Sequence, residues 1–283
     1  MSESVLVTGA SGYLGGEIVR TLRARGAEVI AAGRGEDADI AADMTDEDGF
    51  RRALDGRAFD AIVHAAATVP KSAAGYGDED AVVASVAMAE TAARVAADRG
   101  AALHLISSMT VYPADAPLPV GEDAATGAPT SAYAAGKRRA EHVAATAGRG
   151  FAIRAPGLFG GARAGGLVGN LRAALQRGEA PRLPDAPLQW AAMDIRDAAE
   201  AVAALTVCEA SEFAPVNIGY AGEISVSRLV ELAREAFRTV APYEVPHPPF
   251  AFDLSRFEAL TGARAEAFDA AMLRYFREAD DAA

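Results

Sequence analysis

The segment Thr8-Gly9-Ala10-Ser11-Gly12-Tyr13-Leu14-Gly15 constrains this 283-residue chain more than any other. It follows a short apolar run, Val5-Leu6-Val7, and opens into an amphipathic stretch over 14–25. Strand, glycine turn and helix in that order make a turn that can hold a dinucleotide. Gly9 permits the tight turn, Gly12 lets the backbone approach a pyrophosphate, and Gly15 lets the helix pack closely on the strand. The free N–H groups and positive dipole end of that helix then face the phosphates.

The remainder of the chain repeats the alternation. Residues 28–32, 39–43, 59–63, 102–107, 151–154 and 216–218 read as strands. Helices are expected over 80–97, from 131 to about 147, and over 167–177, 194–208, 226–237, 254–262 and 265–278. This pattern predicts a Rossmann-type α/β fold, a doubly wound parallel sheet with helices on both faces. Residues 1–155 are expected to form the dinucleotide-binding domain, to which the chain returns at about 188–218. Residues 156–187 and 219–283 are expected to form a small C-terminal substrate-binding cap, and 180–187, with three prolines, an exposed excursion.

Apolar residues make up 51% of the chain, enough for a full core. Net charge is −12, from 39 acids against 27 Lys plus Arg, which argues against nucleic acid as a partner. It does not argue against an anionic cofactor, because a local field can oppose the global one. Cys208 is the only cysteine, so no intramolecular disulfide and no cysteine-built metal site is possible, and no metal is expected. The first residues carry no basic region and no apolar run approaches membrane length. A cytoplasmic protein without membrane contact is the expectation.

The end of the second strand bears on the cofactor. An NAD site usually places Asp or Glu there to hold the ribose 2′-hydroxyl. Gly33 and Arg34 stand there instead, and an arginine fits a 2′-phosphate by charge and fork geometry. NADP(H) is therefore favoured over NAD(H), the alternative being a solvated Arg34 with Glu36 or Asp37 on the ribose. His64 closes the fourth strand and reads as a packed strand-end residue. The small residues after it, Ala65 and Ala66, suit a backbone lying against a cofactor.

Tyr133 and Lys137 stand four apart at a helix start and so share a face. A phenol has a pKa of about 10 and is a poor acid or base near neutrality. A neighbouring ammonium and the helix N-terminus are both expected to lower it. Tyr133 can then exchange a proton with a substrate oxygen while a nicotinamide carries hydride. Lys137 can also hold the nicotinamide ribose. Ser108, at a strand's carboxyl end, can orient the reacting oxygen, and that strand end is where ligands bind in such folds.

These motifs, with AADMTD, HAAA, SSMTVY, SAYAAGK, RAPGLFG, DIRDAAEAV, VNIGYAGEISV and the terminal DLSRFEALTG, resemble the extended short-chain dehydrogenase/reductases of the nucleotide-sugar epimerase/dehydratase type nearly end to end. The resemblance implies the same Ser108, Tyr133 and Lys137 roles, Asp43 near the adenine, and a substrate pocket built by the C-terminal third. It implies a cofactor lying along Gly9, Ser11, Gly12, Tyr13, Leu14 and Gly15, then Arg34, Asp43 and Met44. Ala65, Ala66 and Pro156 complete that path with Tyr133 and Lys137. It further implies a homodimer through helices 80–97 and 131–147.

The departures narrow the activity. Sugar 4,6-dehydratases carry Asp-Glu after the catalytic Ser/Thr, whereas Met109 and Thr110 stand here, so dehydration lacks its acid and base. Ser85 aligns with a usual Asn, Trp190 with a usual diphosphate-holding Arg, and Pro156-Gly157-Leu158 replaces another Asn. Arg163, Arg172 and Arg182 are candidate substitutes for the missing Arg. Tyr76, Phe159, Trp190 and Tyr220 are candidate pocket residues. The leading expectation is an NADPH-dependent ketoreductase of a keto-sugar nucleotide. An NAD-dependent nucleotide-sugar epimerase, a reductase of a ketone without a nucleotide, and a non-catalytic dinucleotide sensor are the alternatives.

Overall fold

The computed structural model describes residues 4–35, 38–70, 73–163, 165–238 and 245–278. Its strands are β1 (Ser4–Thr8), β2 (Glu28–Gly33), β3 (Ile40–Ala41), β4 (Ala61–His64), β5 (Ala102–Ser108), β6 (Gly150–Ala155), β7 (Gly157–Phe159), β8 (Ala192–Asp194) and β9 (Phe213–Asn217). Its helices are α1 (Tyr13–Ala24), α2 (Glu47–Ala53), α3 (Glu79–Arg99), α4 (Ala132–Ala144), α5 (Gly166–Gln176), α6 (Ile195–Thr206), α7 (Val226–Phe237), α8 (Ser255–Thr261) and α9 (Phe268–Arg277). Seven strands form one parallel sheet in the order β3-β2-β1-β4-β5-β6-β9. The strand order reverses between β1 and β4, and a crevice at that point, beyond the carboxyl ends, is where such sheets bind ligands.

The side chains of β1 show how the sheet separates two cores. Val5 and Val7 enter the core beneath α1 and α6, while Leu6 points the other way, towards α2, α3 and α4. All three are fully buried, each such side chain stabilising the fold by roughly 1.5–3 kcal/mol. β4 does the same with Val63 and Ile62. A strand covered on both faces reads as an unbroken apolar run, which is why these strands were legible. α3 is buried over a wide arc, from Val82 and Val86 to Ala92, Ala93, Val95 and Ala96, as its small residues predict.

Several elements differ from the sequence expectation. The strand expected at 39–43 shrinks to Ile40–Ala41, and the one expected at 59–63 begins at Ala61. α2 has no counterpart in the sequence reading. It is seven residues long, capped by Asp46 accepting from Gly49 N at 3.0 Å, with Phe50 as its buried anchor. One apolar residue in two turns leaves periodicity nothing to detect. The stretch after β6 reads as a glycine-rich turn, yet Gly157–Phe159 is a strand paired with Ala192–Asp194. α6 begins one residue later than expected because Asp194 is its cap, accepting from Arg196 N at 2.9 Å.

Beneath the carboxyl ends of β5 and β6 lies a buried polar network. Arg154 donates to the Glu141 carboxylate, to the Tyr112 hydroxyl at 3.0 Å and to the Glu122 carbonyl at 3.0 Å. Tyr112 donates to Asn217 Oδ1 at 2.6 Å, and Asn217 donates in turn to the Val120 carbonyl at 3.0 Å. Ser107 is tied to the same Glu141. The network fastens α4, β6, β9 and the 112–122 loop together directly behind Ser108.

Candidate active site

At the start of α1 the site is made of backbone. Gly12 N donates to the Gly9 carbonyl at 2.8 Å, closing the turn. Gly9 sits at φ +72°, and a Cβ there would lie 2.6 Å from Ala66 N. A Cβ on Gly15 would lie 2.1 Å from the Gly9 carbonyl oxygen. Only hydrogen fits at either place, so the first turn of α1 lies directly on the turn and on the Ala65–Ala66 segment after β4. Gly12 caps α1 without a side-chain bond, and the first turn holds no acid. Bare amides and an unopposed dipole at a turn with no side chain in the way fit a dinucleotide's pyrophosphate.

The remaining cofactor candidates divide. The Leu14 side chain belongs to the core, so only its amide faces the turn. The Ser11 hydroxyl accepts from Gly35 N at 3.2 Å and joins the glycine turn to the end of β2. Arg34 is exposed beyond β2, close enough to Asp43 to help hold its carboxyl below the usual range. The larger causes there are the Thr45 backbone N–H and hydroxyl, bonding Asp43 Oδ1 at 2.9 and 2.8 Å. Met44 is 5% exposed and packs in the second core, which leaves its backbone alone to face a ligand. Glu36 and Asp37 lie outside the described residues. Pro156 is buried immediately after β6, one step beyond the Ser108–Ala155 register pair.

The β5 end and α4 bring Ser108, Tyr133 and Lys137 together. Ser131 starts α4 by accepting from Ala134 N at 3.1 Å, which aims the first turn at the strand ends. Ser108 accepts from Thr110 N at 3.2 Å and Thr110 Oγ1 at 3.1 Å, and it also hydrogen-bonds Tyr133. Lys137 Nζ donates to the Ile106 carbonyl at 2.8 Å and lies 5.7 Å from the Tyr133 ring centre.

The protonation of this group differs from the sequence expectation. Burial pushes the Tyr133 phenol up to about 12, opposed only by the Ser108 hydrogen bond. Burial also pulls the Lys137 ammonium down to about 8, with Glu141 opposing. Against the expected lowering, burial of the Tyr133 ring is the larger influence, with the Lys137 ammonium hydrogen-bonded to the Ile106 carbonyl. Desolvation therefore outweighs charge at both groups.

A cavity of about 290 Å³ opens beside these residues, bounded by Ala66, Val82, Ser85, Gly136 and the Tyr133 and Lys137 side chains. Ser85 is used internally, donating to the Ala81 carbonyl at 2.8 Å and accepting from Thr68 N at 3.0 Å. His64 is 2% exposed, hydrogen-bonded to Thr8 Oγ1 at 2.8 Å and held near pKa 3 by burial and then by Lys137. It is a packed strand-end residue.

Among the aromatic candidates, Tyr76 meets Tyr133 edge-to-face at 5.5 Å between ring centres. Phe159 and Tyr220 are core residues, and Trp190 packs on Phe268. Of the three arginines, Arg172 is engaged with the Glu278 carbonyl and lies over the Tyr275 ring at 4.8 Å. Arg182 is exposed, and Arg163 lies over the Tyr13 ring at 5.2 Å. The tie between Tyr13 and the Gly160–Arg163 turn had no signal in the sequence, because it joins residues 147 positions apart.

Among the described residues no helix is long and apolar enough to cross a membrane. No curated protein sequence matches the chain. Solved structures match its fold closely. A UDP-N-acetylglucosamine 4-epimerase from Bacillus cereus superposes with a TM-score of 0.79 at 19% identity, covering 97% of this chain and 98% of that one. TunA, an NAD-dependent NDP-hexosamine 5,6-dehydratase of tunicamycin biosynthesis, gives 0.75 at 22% identity and 99% coverage of both. The Bordetella bronchiseptica enzyme WbmG in complex with NAD and UDP gives 0.76 at 18%, over 96% and 93%. The model of the NAD dependent epimerase/dehydratase family matches residues 5–219, three-quarters of the chain, from the glycine turn through the Ser-Tyr-Lys group. With the fold and the glycine turn in agreement with that match, the chain belongs to the NAD-dependent epimerase/dehydratase family and is an enzyme of the short-chain dehydrogenase/reductase type.

Proposed function

We propose that this enzyme reduces a keto-sugar nucleotide with NADPH. The observation that carries the reading is the grouping of Ser108, Tyr133 and Lys137, the last two in one wall of the cavity and Ser108 hydrogen-bonded to the phenol. A phenol is protonated at neutral pH and in this place can donate to a developing alkoxide. Ser108 Oγ hydrogen-bonds the carbonyl oxygen and sets its direction. Tyr133 Oη gives its proton to that oxygen. Lys137, through its neutral-to-charged range near pH 8, restores the local charge balance and holds ribose hydroxyls. The hydride that the carbonyl carbon accepts would come from a nicotinamide bound along the α1 turn, and the Tyr133 proton on the oxygen completes the reduction to the alcohol.

Arg34 supports NADPH, since its guanidinium is exposed at the end of β2 with no ion-pair partner among the described residues. The nucleotide on the substrate is supported by likeness to a structure that holds UDP. Elimination of water is disfavoured because the Thr110 hydroxyl is committed to Ser108 and Met109 has no acid. Mixing NADPH with a panel of 4-keto-sugar nucleotides and following absorbance tests the reading. Oxidation with one of them supports it, and silence across the panel removes the substrate half.

A second reading, epimerisation with retained NAD, has the support of the 4-epimerase likeness. Purified protein carrying tightly held NAD and showing no net turnover of NADPH would favour it. A homodimer through α3 and α4 is part of either proposal. Val83 of α3 is 59% exposed, beside a groove of about 750 Å³ with Glu90 on one wall and Arg138, Arg139 and His142 on the other. That charge layout complements a second copy turned by a two-fold axis. Light scattering on Val83→Glu should report a monomer if this face is the contact.

A further inference from the structure

We propose that Arg163 is a ligand for the diphosphate of the bound dinucleotide, reaching it across the ring of Tyr13. This rests on the reading that the α1 turn holds a dinucleotide. Amides at a helix start contribute only about half a positive charge, whereas a diphosphate brings far more negative charge than that. A side-chain cation beside the turn would balance more of that charge than the helix start can alone.

Of the other cations of this region, those of α1 are ion-paired and Lys137 is hydrogen-bonded, while Arg34 belongs to the end of β2. Arg20, Arg23 and Arg25, in the later turns of α1 and at its end, pair with Glu17, Asp39 and Glu200. Lys137 donates to the Ile106 carbonyl, and Arg34 lies out beside Asp43. Arg163 has no carboxylate partner among the described residues. Its guanidinium sits over the face of Tyr13, the first residue of α1, at 5.2 Å from the ring centre.

The placement is built rather than incidental. Tyr13 Oη donates to the Gly160 carbonyl at 2.7 Å, and the same carbonyl accepts from Arg163 N at 3.2 Å. Gly160 stands at φ +83°, where a Cβ would lie 2.9 Å from Asp194 Oδ2, so the turn is locked against the start of α6. Arg163 also opposes the burial that raises the Tyr13 phenol, which agrees with the closeness of the two groups. Tyr13 thereby has two parts: its amide faces the phosphates, and its ring is a shelf that holds a cation one ring's width away. From that shelf a planar fork can meet phosphate oxygens in pairs. The substrate's diphosphate is the competing ligand, and the contact with the first residue of α1 favours the cofactor's.

Calorimetric titration of wild type, Arg163→Ala and Arg163→Lys with NADP⁺, NAD⁺ and ADP-ribose tests this, followed by UDP added to cofactor-saturated protein. For Arg163→Ala we expect about five- to tenfold weaker binding of both dinucleotides and of ADP-ribose, the contribution of one charge-assisted contact. Arg163→Lys should recover part of that, and added salt should weaken wild type more than Arg163→Ala. Unchanged dinucleotide affinity in Arg163→Ala overturns the proposal, as does a loss confined to UDP. Wild type that binds no dinucleotide would overturn both this and the proposed function, whereas wild type that binds with Arg163→Ala equal to it removes this proposal alone. Because Arg163 is exposed, its substitution should leave the melting temperature in place, which separates lost contact from lost fold.

Discussion

At the start of α1 the site consists of backbone, and at the start of α4 it consists of side chains. Gly9, Gly12 and Gly15 contribute by what they lack: one added methyl at Gly15 would stand 2.1 Å from the Gly9 carbonyl. Ser108, Tyr133 and Lys137 contribute functional groups, and burial raises the Tyr133 phenol and lowers the Lys137 ammonium. Both are helix starts at strand ends of one sheet, yet α4 is capped by Ser131 and α1 is left bare. The bare end is matched to charge on a ligand. The capped end satisfies its own amides and leaves the reacting groups to do chemistry. Binding and turnover should therefore separate under mutation.

The largest effect expected is from Tyr133→Phe. Loss of the hydroxyl should lower kcat by about 10²- to 10⁴-fold, the range of general acid catalysis, with dinucleotide affinity nearly unchanged. Equal losses in both would show that the two ends act as one unit. Gly15→Ala should do the reverse. The overpacked contact, costing about 1–3 kcal/mol, should weaken dinucleotide binding by tenfold or more. Turnover at saturating cofactor should stay within severalfold of wild type, and a mutant that binds as tightly as wild type would refute the backbone cradle.

Lys137 sharpens the comparison through pH. Its ammonium titrates near 8 in the fold against 10.5 outside it, so between those values the unfolded chain holds more protons. Stability should rise with pH across that window, until unfolded tyrosine begins to ionise near 10 while Tyr133 holds its proton to about 12 and reverses the trend. Lys137→Met should abolish the rise between pH 8 and 10 in thermal melts. A rise of the same slope in the mutant would mean that Lys137 is not its source.

The smallest effect concerns His104, on the same strand as Ser108 but away from the ligand. It is fully buried beside Phe151, and neither ring nitrogen has a partner among the described residues. Burial, with Arg149 second, holds it near pKa 4, so the unfolded state gains protons as pH falls from about 6.5 towards 4 and stability is lost there. His104→Leu should make that acid limb shallower, leaving the part that buried His64 contributes, and stabilise by about 1 kcal/mol, since an unsatisfied buried polar group is removed. Activity at neutral pH should not change, and a large activity loss would mean that the strand transmits to Ser108.

The glycine turn and the Tyr133–Lys137 pair were legible because each carries its spacing within a few residues of chain, and Ser108 because it ends an apolar strand. Strands such as β1 and β4 were legible because both faces are covered and their central residues are apolar. The seven-residue α2 and the three-residue partners Gly157–Phe159 and Ala192–Asp194 were not, since neither offers a repeat long enough to read. Trp190 could be aligned with a family arginine, but that it packs on Phe268 follows from the path of α9. The burial that raises the Tyr133 phenol was not legible for a similar reason: four residues of spacing show that Lys137 is near, not what packs around the ring.

By itself the sequence determined the alternation of strands and helices, the glycine turn and the Ser108, Tyr133 and Lys137 group, because these depend on local propensity and short spacing. Only the tertiary structure decided how burial sets the protonation of Tyr133 and Lys137, since desolvation is a property of everything packed around a group. The tertiary structure likewise brought Arg163 to Tyr13, through a hydrogen bond between residues 147 positions apart that no local pattern encodes.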